Sequence, residues 1–139
     1  YHPEGDALYH SLQVFEQARE QRPYDEEFLL AALLHDVGKA IDPSEHVAAG
    51  LEALEGLISE RTAELIALHM DAQADRAGTL GAKARQRLRQ SEHYEDVMLL
   101  NECDRRGRVR GAIVDDLDEV LEYLRKLEEE LEADEWADE

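Results

Sequence analysis

The sequence of 139 residues contains one cysteine, three prolines and few aromatic side chains, which make up 6% of the chain. Because a disulfide needs two cysteines, Cys103 cannot form one within the chain, and a single thiol suits a reducing compartment. No apolar stretch approaches the roughly 20 residues that cross a bilayer, and no signal peptide is visible. We therefore expect a cytoplasmic protein that does not interact with a membrane.

Positive charge is also scarce, since 15 Lys and Arg residues face 34 Asp and Glu residues and give a net charge of −19. This balance argues against stable binding to nucleic acid, which requires clustered basic side chains. The charge is uneven, however: residues 76–110 contain nine bases and five acids, whereas residues 115–139 contain two bases and 13 acids. The basic segment is either a solvated face paired with acidic neighbours or the mouth of a site that attracts phosphate.

Leucine, alanine, glutamate and arginine dominate the composition, and these residues favour helices. Apolar residues recur at helical spacing and no strand pattern is convincing, so we predict an all-α bundle of about six to seven helices. The predicted helices cover residues 6–20, 25–37, 43–58, 60–70, 92–105 and 115–132. Gly38 is predicted to end the second helix, and residues 77–81 to form a loop. We expect residues 1–132 to form one domain and residues 133–139 an acidic C-terminal tail.

Several polar residues interrupt the apolar pattern. The apolar run at residues 28–34 ends directly in His35 and Asp36. Three further residues lie on apolar helix faces by their spacing: His10, His69 and Asp104. Any one buried histidine is commonly explained by a hydrogen bond to a backbone carbonyl, but a lone buried carboxylate is costly unless it is paired or binds a metal. A shared divalent cation would explain all of these residues together.

Five segments resemble, in order, the HD superfamily of metal-dependent phosphohydrolases, in particular the HD domain attached to bacterial tRNA nucleotidyltransferases, the CCA-adding enzymes. The segments are HPEGDALYH, LLHDVGKA, EHVAAG, IALHM and ECDRRGR, which span roughly residues 2–110. The resemblance implies an HD-domain helical bundle with a divalent metal site. The implied ligands are His10, His35, Asp36 and Asp104. The 139 residues hold neither the nucleotidyltransferase head nor the tRNA-binding body of those enzymes, so CCA addition is not implied.

The same resemblance raises the prospect of a second metal ion. In HD proteins with two metals, histidines between the His-Asp pair and the last aspartate bind the second ion. His46 and His69 lie in that part of the sequence, and Asp36 would then bridge the two ions. The spacing from Asp36 to His46 is short, so His46 could line the pocket instead. The cofactor is expected to be one or two divalent ions, drawn from Mn, Fe, Co, Ni, Zn and Mg.

Basic residues close to the motif are candidates for binding phosphate. Lys39 could contact a phosphate oxygen, but a cation at a helix C-terminus is equally favoured by the helix dipole. Arg105 and Arg108 follow Asp104, and each binds either phosphate or an acidic helix. Asp36 is also a candidate for orienting the attacking water, so Asp36 and Lys39 are the predicted catalytic residues.

The sequence therefore predicts a metal-dependent phosphohydrolase that cleaves a nucleotide-type phosphomonoester or phosphodiester with a metal-activated water. Its partner would be a small phosphorylated substrate, with a nucleotide favoured. The alternative is a non-catalytic HD-fold module that binds a nucleotide or a protein and regulates it. The acidic last helix, with a stripe formed by Leu117, Leu121, Leu124 and Leu131, either forms a homodimer or only closes the bundle.

Overall fold

The computed structural model describes residues 7–137, and within that range the chain forms seven α-helices and no β-strand. The helices are α1 (Ala7–Gln21), α2 (Glu26–Leu34), α3 (His46–Leu54), α4 (Glu60–Arg76), α5 (Ala82–Gln90), α6 (Tyr94–Arg106) and α7 (Leu117–Ala137), and a 3₁₀ turn at Val37–Ala40 joins α2 to α3. The all-α prediction is confirmed. The predicted helix start at residue 6 lies outside the described residues. Within them, no helix combines the length and the apolar character needed to cross a bilayer.

Four helices, α1, α2, α4 and α6, form the centre of the bundle. Helix α1 contacts α2 and α6, and helix α4 contacts the same two, so the four close into a ring. Their inward faces form an apolar core that includes the fully buried Phe15, Phe28, Leu29, Leu65, Ile66 and Leu100. Burying each such side chain stabilises the fold by roughly 1.5–3 kcal/mol, which makes this core the main force holding the ring together.

Helices α2 and α4 begin at side-chain caps. The Asp25 carboxylate accepts a hydrogen bond from the backbone N–H of Phe28, at 3.2 Å. The Ser59 hydroxyl accepts one from the backbone N–H of Thr62, at 3.1 Å. Each cap satisfies a backbone donor at a helix N-terminus, and its loss typically costs about 1 kcal/mol. These caps fix where the two helices start relative to their buried residues.

Helix α2 ends at Leu34, earlier than predicted, and Gly38 does not end it. Gly38 lies inside the 3₁₀ turn and has no positive φ angle. A Cβ atom at Gly38 would lie 1.7 Å from the carbonyl oxygen of His46 and 2.7 Å from the backbone nitrogen of Gly50. Glycine is therefore required there because the turn packs directly against the backbone of α3, which the sequence pattern did not reveal.

The region after α4 differs from the prediction in two ways. Residues 77–81 are non-helical as predicted, but α4 extends to Arg76 instead of ending near Met70. Helix α5 was not predicted, because its sequence is mostly polar and buries one residue, Leu88. A helix with so little apolar surface has no stripe by which the sequence could reveal it.

Helix α7 covers the bundle with a different face from the predicted leucine stripe. Val120, Leu124 and Leu127 are buried, and Tyr123 packs edge-on against Phe15 of α1. Of the predicted stripe, Leu124 is buried, whereas the other three leucines are more than a third exposed: Leu117, Leu121 and Leu131. The helix also continues to Ala137, into the segment predicted to be a tail.

Candidate metal centre

A cluster of buried histidines and aspartates lies where α1, α2 and α6 converge. His10 comes from α1, His35 and Asp36 follow the last turn of α2, and Asp104 comes from α6; each is at most 6% exposed. The Nε2 atom of His10 lies 2.6 Å from Asp104 Oδ1. The Nε2 atom of His35 lies 3.2 Å from Asp36 Oδ2 and 3.3 Å from Asp104 Oδ1. One ligand atom from each of the four residues lies within 4.8 Å of all the others.

A second group shares Asp36 with the first. His46, at the start of α3, places its Nε2 atom 3.6 Å from Asp36 Oδ1, and His69 of α4 places its Nε2 atom 3.4 Å from the same oxygen. The first group faces the other oxygen, Oδ2, of this carboxylate. The Asp36 carboxylate therefore lies between two sets of histidines, with one oxygen directed at each set.

Backbone carbonyl groups fix the orientation of three of these imidazole rings. The Nδ1 atom lies 2.8 Å from the Gly107 oxygen in His10, 2.8 Å from the Ala32 oxygen in His35, and 2.6 Å from the Ile66 oxygen in His69. Because a carbonyl oxygen only accepts hydrogen bonds, each Nδ1 must carry the proton and donate it. In the neutral ring, the Nε2 lone pair then points into the cluster, which is the usual arrangement for a metal-binding histidine.

These orientations leave electron-rich atoms facing one another. In the described part of the chain, three buried side-chain nitrogens have no hydrogen-bond partner: the Nε2 atoms of His35, His46 and His69. Buried polar atoms are normally paired, and here the nearest polar atoms are carboxylate oxygens. A divalent cation would satisfy both the nitrogens and the oxygens, and imidazole with carboxylate suits Zn, Fe, Ni, Co or Mn. The residues of this cluster therefore fit a divalent metal.

The ionised state of the two carboxylates also favours a cation. Burial disfavours the charged forms of His35, Asp36 and Asp104, but the contacts between imidazoles and carboxylates outweigh it. The neighbouring Asp104 and Asp36 carboxylates raise the pKa of His35 to about 10, so without a metal this ring carries a second proton on Nε2, which a bound cation would displace. In return, His35 and His69 hold the pKa of Asp36 well below its usual range, and His10 and His35 do the same for the pKa of Asp104. Both carboxylates are therefore ionised at neutral pH.

A close contact between α1 and the end of α6 positions His10. A Cβ atom at Gly107 would lie 2.7 Å from Val14 Cγ2 and 2.9 Å from the Val14 backbone nitrogen. Gln13 also connects α1 to the segment after α6. Its side-chain amide donates to the Val109 carbonyl and accepts from the Val109 N–H. The sequence-based reasoning missed Gln13 as a supporting residue. Its spacing of three residues from His10, on the same helix face, is the signal that could have identified it.

The predicted phosphate-binding residues lie at different distances from the cluster. The Lys39 ammonium is 3.2 Å from Asp36 Oδ2, and Arg108 Nη2 is 3.3 Å from Asp104 Oδ1. Arg105 lies farther out, with 55% of its side chain exposed and a salt bridge to Glu102 at 3.0 Å. The structure thus brings Lys39 and Arg108 to the cluster and leaves Arg105 at its rim.

Two cavities of opposite character border the cluster. Asp36 and Lys39 border a cavity of about 480 Å³. Its other walls are mostly apolar and include Leu8, Leu33, Leu34, Val37, Leu117 and Leu121. Asp104 borders a cavity of about 430 Å³ that is lined by arginines from α4, from α6 and from the segment after α6. A molecule bound at the cluster therefore has an apolar surface on one side and a cationic surface on the other.

Comparison with known proteins identifies the family. Residues 7–108 match the HD domain. This match contains all six residues of the two groups that share Asp36: His10, His35, Asp36, His46, His69 and Asp104. The chain is also 34% identical over 131 residues to a protein called the multifunctional CCA protein from Hahella chejuensis (strain KCTC 2396). That alignment covers 78% of this chain and 30% of the relative, so the chain spans about a third of the length of the curated relative that it matches. The HD match covers most of the chain and includes the whole cluster, so this protein belongs to the HD domain family.

Proposed function

We propose that this protein is a metal-dependent phosphohydrolase that cleaves a nucleotide-type phosphomonoester or phosphodiester. One observation carries the proposal: the Nε2 atoms of buried histidines converge on two ionised carboxylates, with the imidazole protons held on Nδ1 by backbone carbonyls. This arrangement attracts a divalent cation. Membership of the HD family, a superfamily of metal-dependent phosphohydrolases, supports the class of reaction.

We propose that the cluster binds one metal ion and can bind a second. His10, His35, Asp36 and Asp104 would hold the first ion, and His46 and His69 would hold the second together with Asp36. The support for a second ion is the geometry of Asp36, whose Oδ2 faces the first group while its Oδ1 faces His46 and His69. Asp36 would then be shared by both ions, and two ions together would stabilise the charge of the reacting phosphate.

The residues around the cluster have distinct roles in hydrolysis. Bound divalent ions would lower the pKa of a water molecule and neutralise the charge of the phosphate. Asp36 accepts a hydrogen bond from the attacking water and directs its oxygen at phosphorus. Lys39 donates to a phosphate oxygen and stabilises the negative charge that builds up there. The attack forms a bond from the water oxygen to phosphorus and breaks the ester P–O bond; the water gives up a proton to the solvent, and the departing oxygen takes up a proton and leaves as the alcohol.

The apolar cavity beside Asp36 and Lys39 supports an organic leaving group of substantial size. Its volume of about 480 Å³ and its leucine-rich walls suit a flat, weakly polar group such as a nucleobase. Ser11 provides a neutral polar side chain in its wall. We therefore expect the cavity to accept different bases with similar affinity, since discrimination between bases requires several fixed hydrogen-bonding groups.

Turnover after metal removal and re-addition tests the proposal. The stripped protein would be assayed with a generic phosphomonoester and a generic phosphodiester, while Mn, Fe, Co, Ni, Zn and Mg are added back singly. We expect no turnover without metal and clear turnover with at least one ion. Asp36→Asn keeps the size of the side chain but removes the charge, and should lower kcat on the order of 10³-fold and abolish metal retention. Asp118→Asn, an exposed aspartate of α7, is the matched control.

Two results would count against this function. Full activity of Asp36→Asn would show that the cluster is not the site of hydrolysis. Tight metal binding without turnover of either ester would instead favour the alternative of a non-catalytic module that binds a nucleotide or a protein partner. Metal content measured by mass spectrometry separates these two results, because only the second requires an intact metal centre.

A further inference from the structure

The cavity beside Asp104 has a cationic wall that the proposed hydrolysis does not use. It encloses about 430 Å³ between the end of α4, the C-terminal half of α6 and the segment that follows α6. Its polar lining consists of Gln73, Arg76, Asn101, Asp104, Arg105 and Arg108. We refer to it as the arginine cavity. It adjoins the metal centre, because Asp104 belongs to both.

Positive charge exceeds negative charge around the arginine cavity. The Glu102 carboxylate faces three guanidinium groups, those of Arg76 at 3.6 Å, Arg105 at 3.0 Å and Arg106 at 3.0 Å. Arg108 faces Asp104, whose carboxylate is also shared with His10 and His35. Four guanidinium groups therefore face two carboxylates, in a protein whose net charge is −19. This local excess would attract an anion from solution.

Arg76 is held in a fixed position at the wall of this cavity. Its Nε atom donates to the side-chain oxygen of Asn101, which is 1% exposed and belongs to α6. Its Nη1 atom lies 3.6 Å from Glu102, beyond hydrogen-bond distance. Because a guanidinium group presents its donors in one plane, an anchor at Nε orients the two terminal nitrogens for bidentate contact with phosphate.

From these contacts we infer that the arginine cavity binds a second anionic group of the substrate, distinct from the phosphate that is cleaved at the metal centre. The preferred substrate is then a nucleotide-type ester with two separate phosphate groups. This inference rests on the proposed function, since it places the cleaved phosphate at Asp36 and Lys39. It adds that Arg76, Arg105 and Arg108 select substrates by their second charge.

Kinetics with matched substrates test this selectivity. Adenosine 3′,5′-bisphosphate would be compared with 3′-AMP and with 5′-AMP on the metal-loaded protein. We expect the bisphosphate to have a KM about tenfold lower than that of either monophosphate, as expected for one additional charge-assisted contact at a partly exposed site. Arg76→Gln should remove this advantage and bring the KM ratio close to one. Arg87→Gln, an exposed arginine of α5 with the same change in charge, should keep the ratio.

Binding measured without turnover provides an independent readout. Calorimetry on the metal-stripped protein should show tighter binding of the bisphosphate than of 5′-AMP, with the difference lost in Arg76→Gln and reduced at high salt. Arg105→Gln serves as a second variant, because Arg105 is exposed and its loss does not disturb a buried partner. We expect an intermediate loss there. Both variants would be checked by circular dichroism, so that unfolding is not mistaken for loss of the cavity.

The outcomes separate the inference from the proposed function. Equal KM values for the bisphosphate and both monophosphates, or equal affinities in the wild-type protein and Arg76→Gln, would overturn the inference while leaving hydrolysis in place. Absence of turnover with every ester would overturn the proposed function instead. In that case calorimetry still decides whether the arginine cavity distinguishes two phosphate groups from one, and absence of any measurable binding counts against it.

Discussion

Helix α2 has a cluster of charged and polar side chains near each of its ends. The two clusters differ in how their negative charges are paired with positive ones. At its N-terminus, Asp25 receives two hydrogen bonds from Arg61 of α4, at 2.6 and 2.7 Å. Arg61 also donates to Asp96 of α6, at 3.0 Å, and Arg22 at the end of α1 donates to the other oxygen of Asp96, at 2.7 Å. We call these four residues the Arg61 cluster. Each of its carboxylates faces a guanidinium group.

The metal centre lies beyond the other end of α2 and joins the same four helices. Its side chains, however, are mostly groups that can donate an electron pair to a metal. They are two carboxylates and four imidazoles whose Nε2 atoms point inward. In the Arg61 cluster each carboxylate is paired with guanidinium groups, whereas the carboxylates of the metal centre face mostly imidazole nitrogens and are paired with only two cations, Lys39 and Arg108, which are each about a third exposed. From this difference we infer that the Arg61 cluster serves stability, and the unbalanced cluster agrees with the metal binding proposed for it.

Of the changes that test this difference between the clusters, removing one histidine of the metal centre should have the largest effect on metal content and turnover. His69→Gln should reduce the metal content from two ions per chain to one and lower turnover by roughly 10- to 100-fold. The reason is that His69 approaches Asp36 Oδ1 and belongs to the second group alone. Metal content would be measured by inductively coupled plasma mass spectrometry after dialysis.

His93→Gln is the matched control for this change. His93 lies 3.5 Å from Glu64 and 3.3 Å from Glu92, away from the metal centre. His93, Glu64 and Glu92 form a third, partly exposed group that could hold an ion, so this control is judged by turnover, which should remain full. If the wild-type protein and His69→Gln contain the same single ion, then His46 and His69 line the pocket and the centre has one metal.

Breaking the Arg61 cluster should affect stability without affecting metal. Arg61→Met keeps much of the side-chain volume but leaves Asp25 without its main partner and Asp96 with Arg22 alone. We expect the free energy of unfolding to fall by about 2 kcal/mol, below the usual cost of breaking a fully buried pair because Arg61 is 19% exposed. Urea unfolding would measure this loss, and metal content should equal that of the wild-type protein.

Arg125→Met is the corresponding control on the surface. Arg125 forms salt bridges with Glu122 and Glu129 along the exposed face of α7. Exposed pairs of this kind contribute little to stability, so no measurable change is expected. Loss of metal in Arg61→Met would contradict the division between the two clusters, because it would show that the Arg61 cluster also positions the metal ligands.

The sequence predicted the metal centre better than the Arg61 cluster, and the reason is physical. His10, His35 and Asp104 stand out because polar residues are rare on apolar helix faces. Arg61 and Asp96 do not stand out, since an acidic chain contains many charged residues with no pattern that assigns partners. Pairing across helices depends on how the helices pack, which helical periodicity does not determine.

Supporting contacts from the backbone were also beyond the reach of sequence patterns. The Gly107 carbonyl orients His10, and the close approach of Gly38 to α3 brings His46 towards Asp36. Both depend on contacts between segments that are distant in sequence or separated by a turn. The HD motif predicted which side chains meet, and only the folded chain shows which backbone atoms orient them.

The smallest expected effect concerns the pH dependence of the Arg61 cluster. Burial alone would raise the pKa of Asp25, but hydrogen bonds from Arg61 and the Phe28 backbone outweigh it and hold the pKa below the ordinary value of 3.8. A carboxyl group whose pKa is lower in the folded state stabilises the fold above the ordinary pKa and loses this contribution as the pH falls through the folded pKa.

Comparison of the wild-type protein with Asp25→Asn measures this contribution. Asparagine also caps helix N-termini, so the substitution removes the charge and leaves the cap. The wild-type protein should be more stable by about 1 kcal/mol at neutral pH, and the difference should shrink towards zero as the pH falls below 3.8. Titration of the metal centre is common to both proteins and cancels in the difference. A difference that stays constant to about pH 3 would mean that it does not come from the ionisation of Asp25, and that the ion pair with Arg61 adds little to the fold.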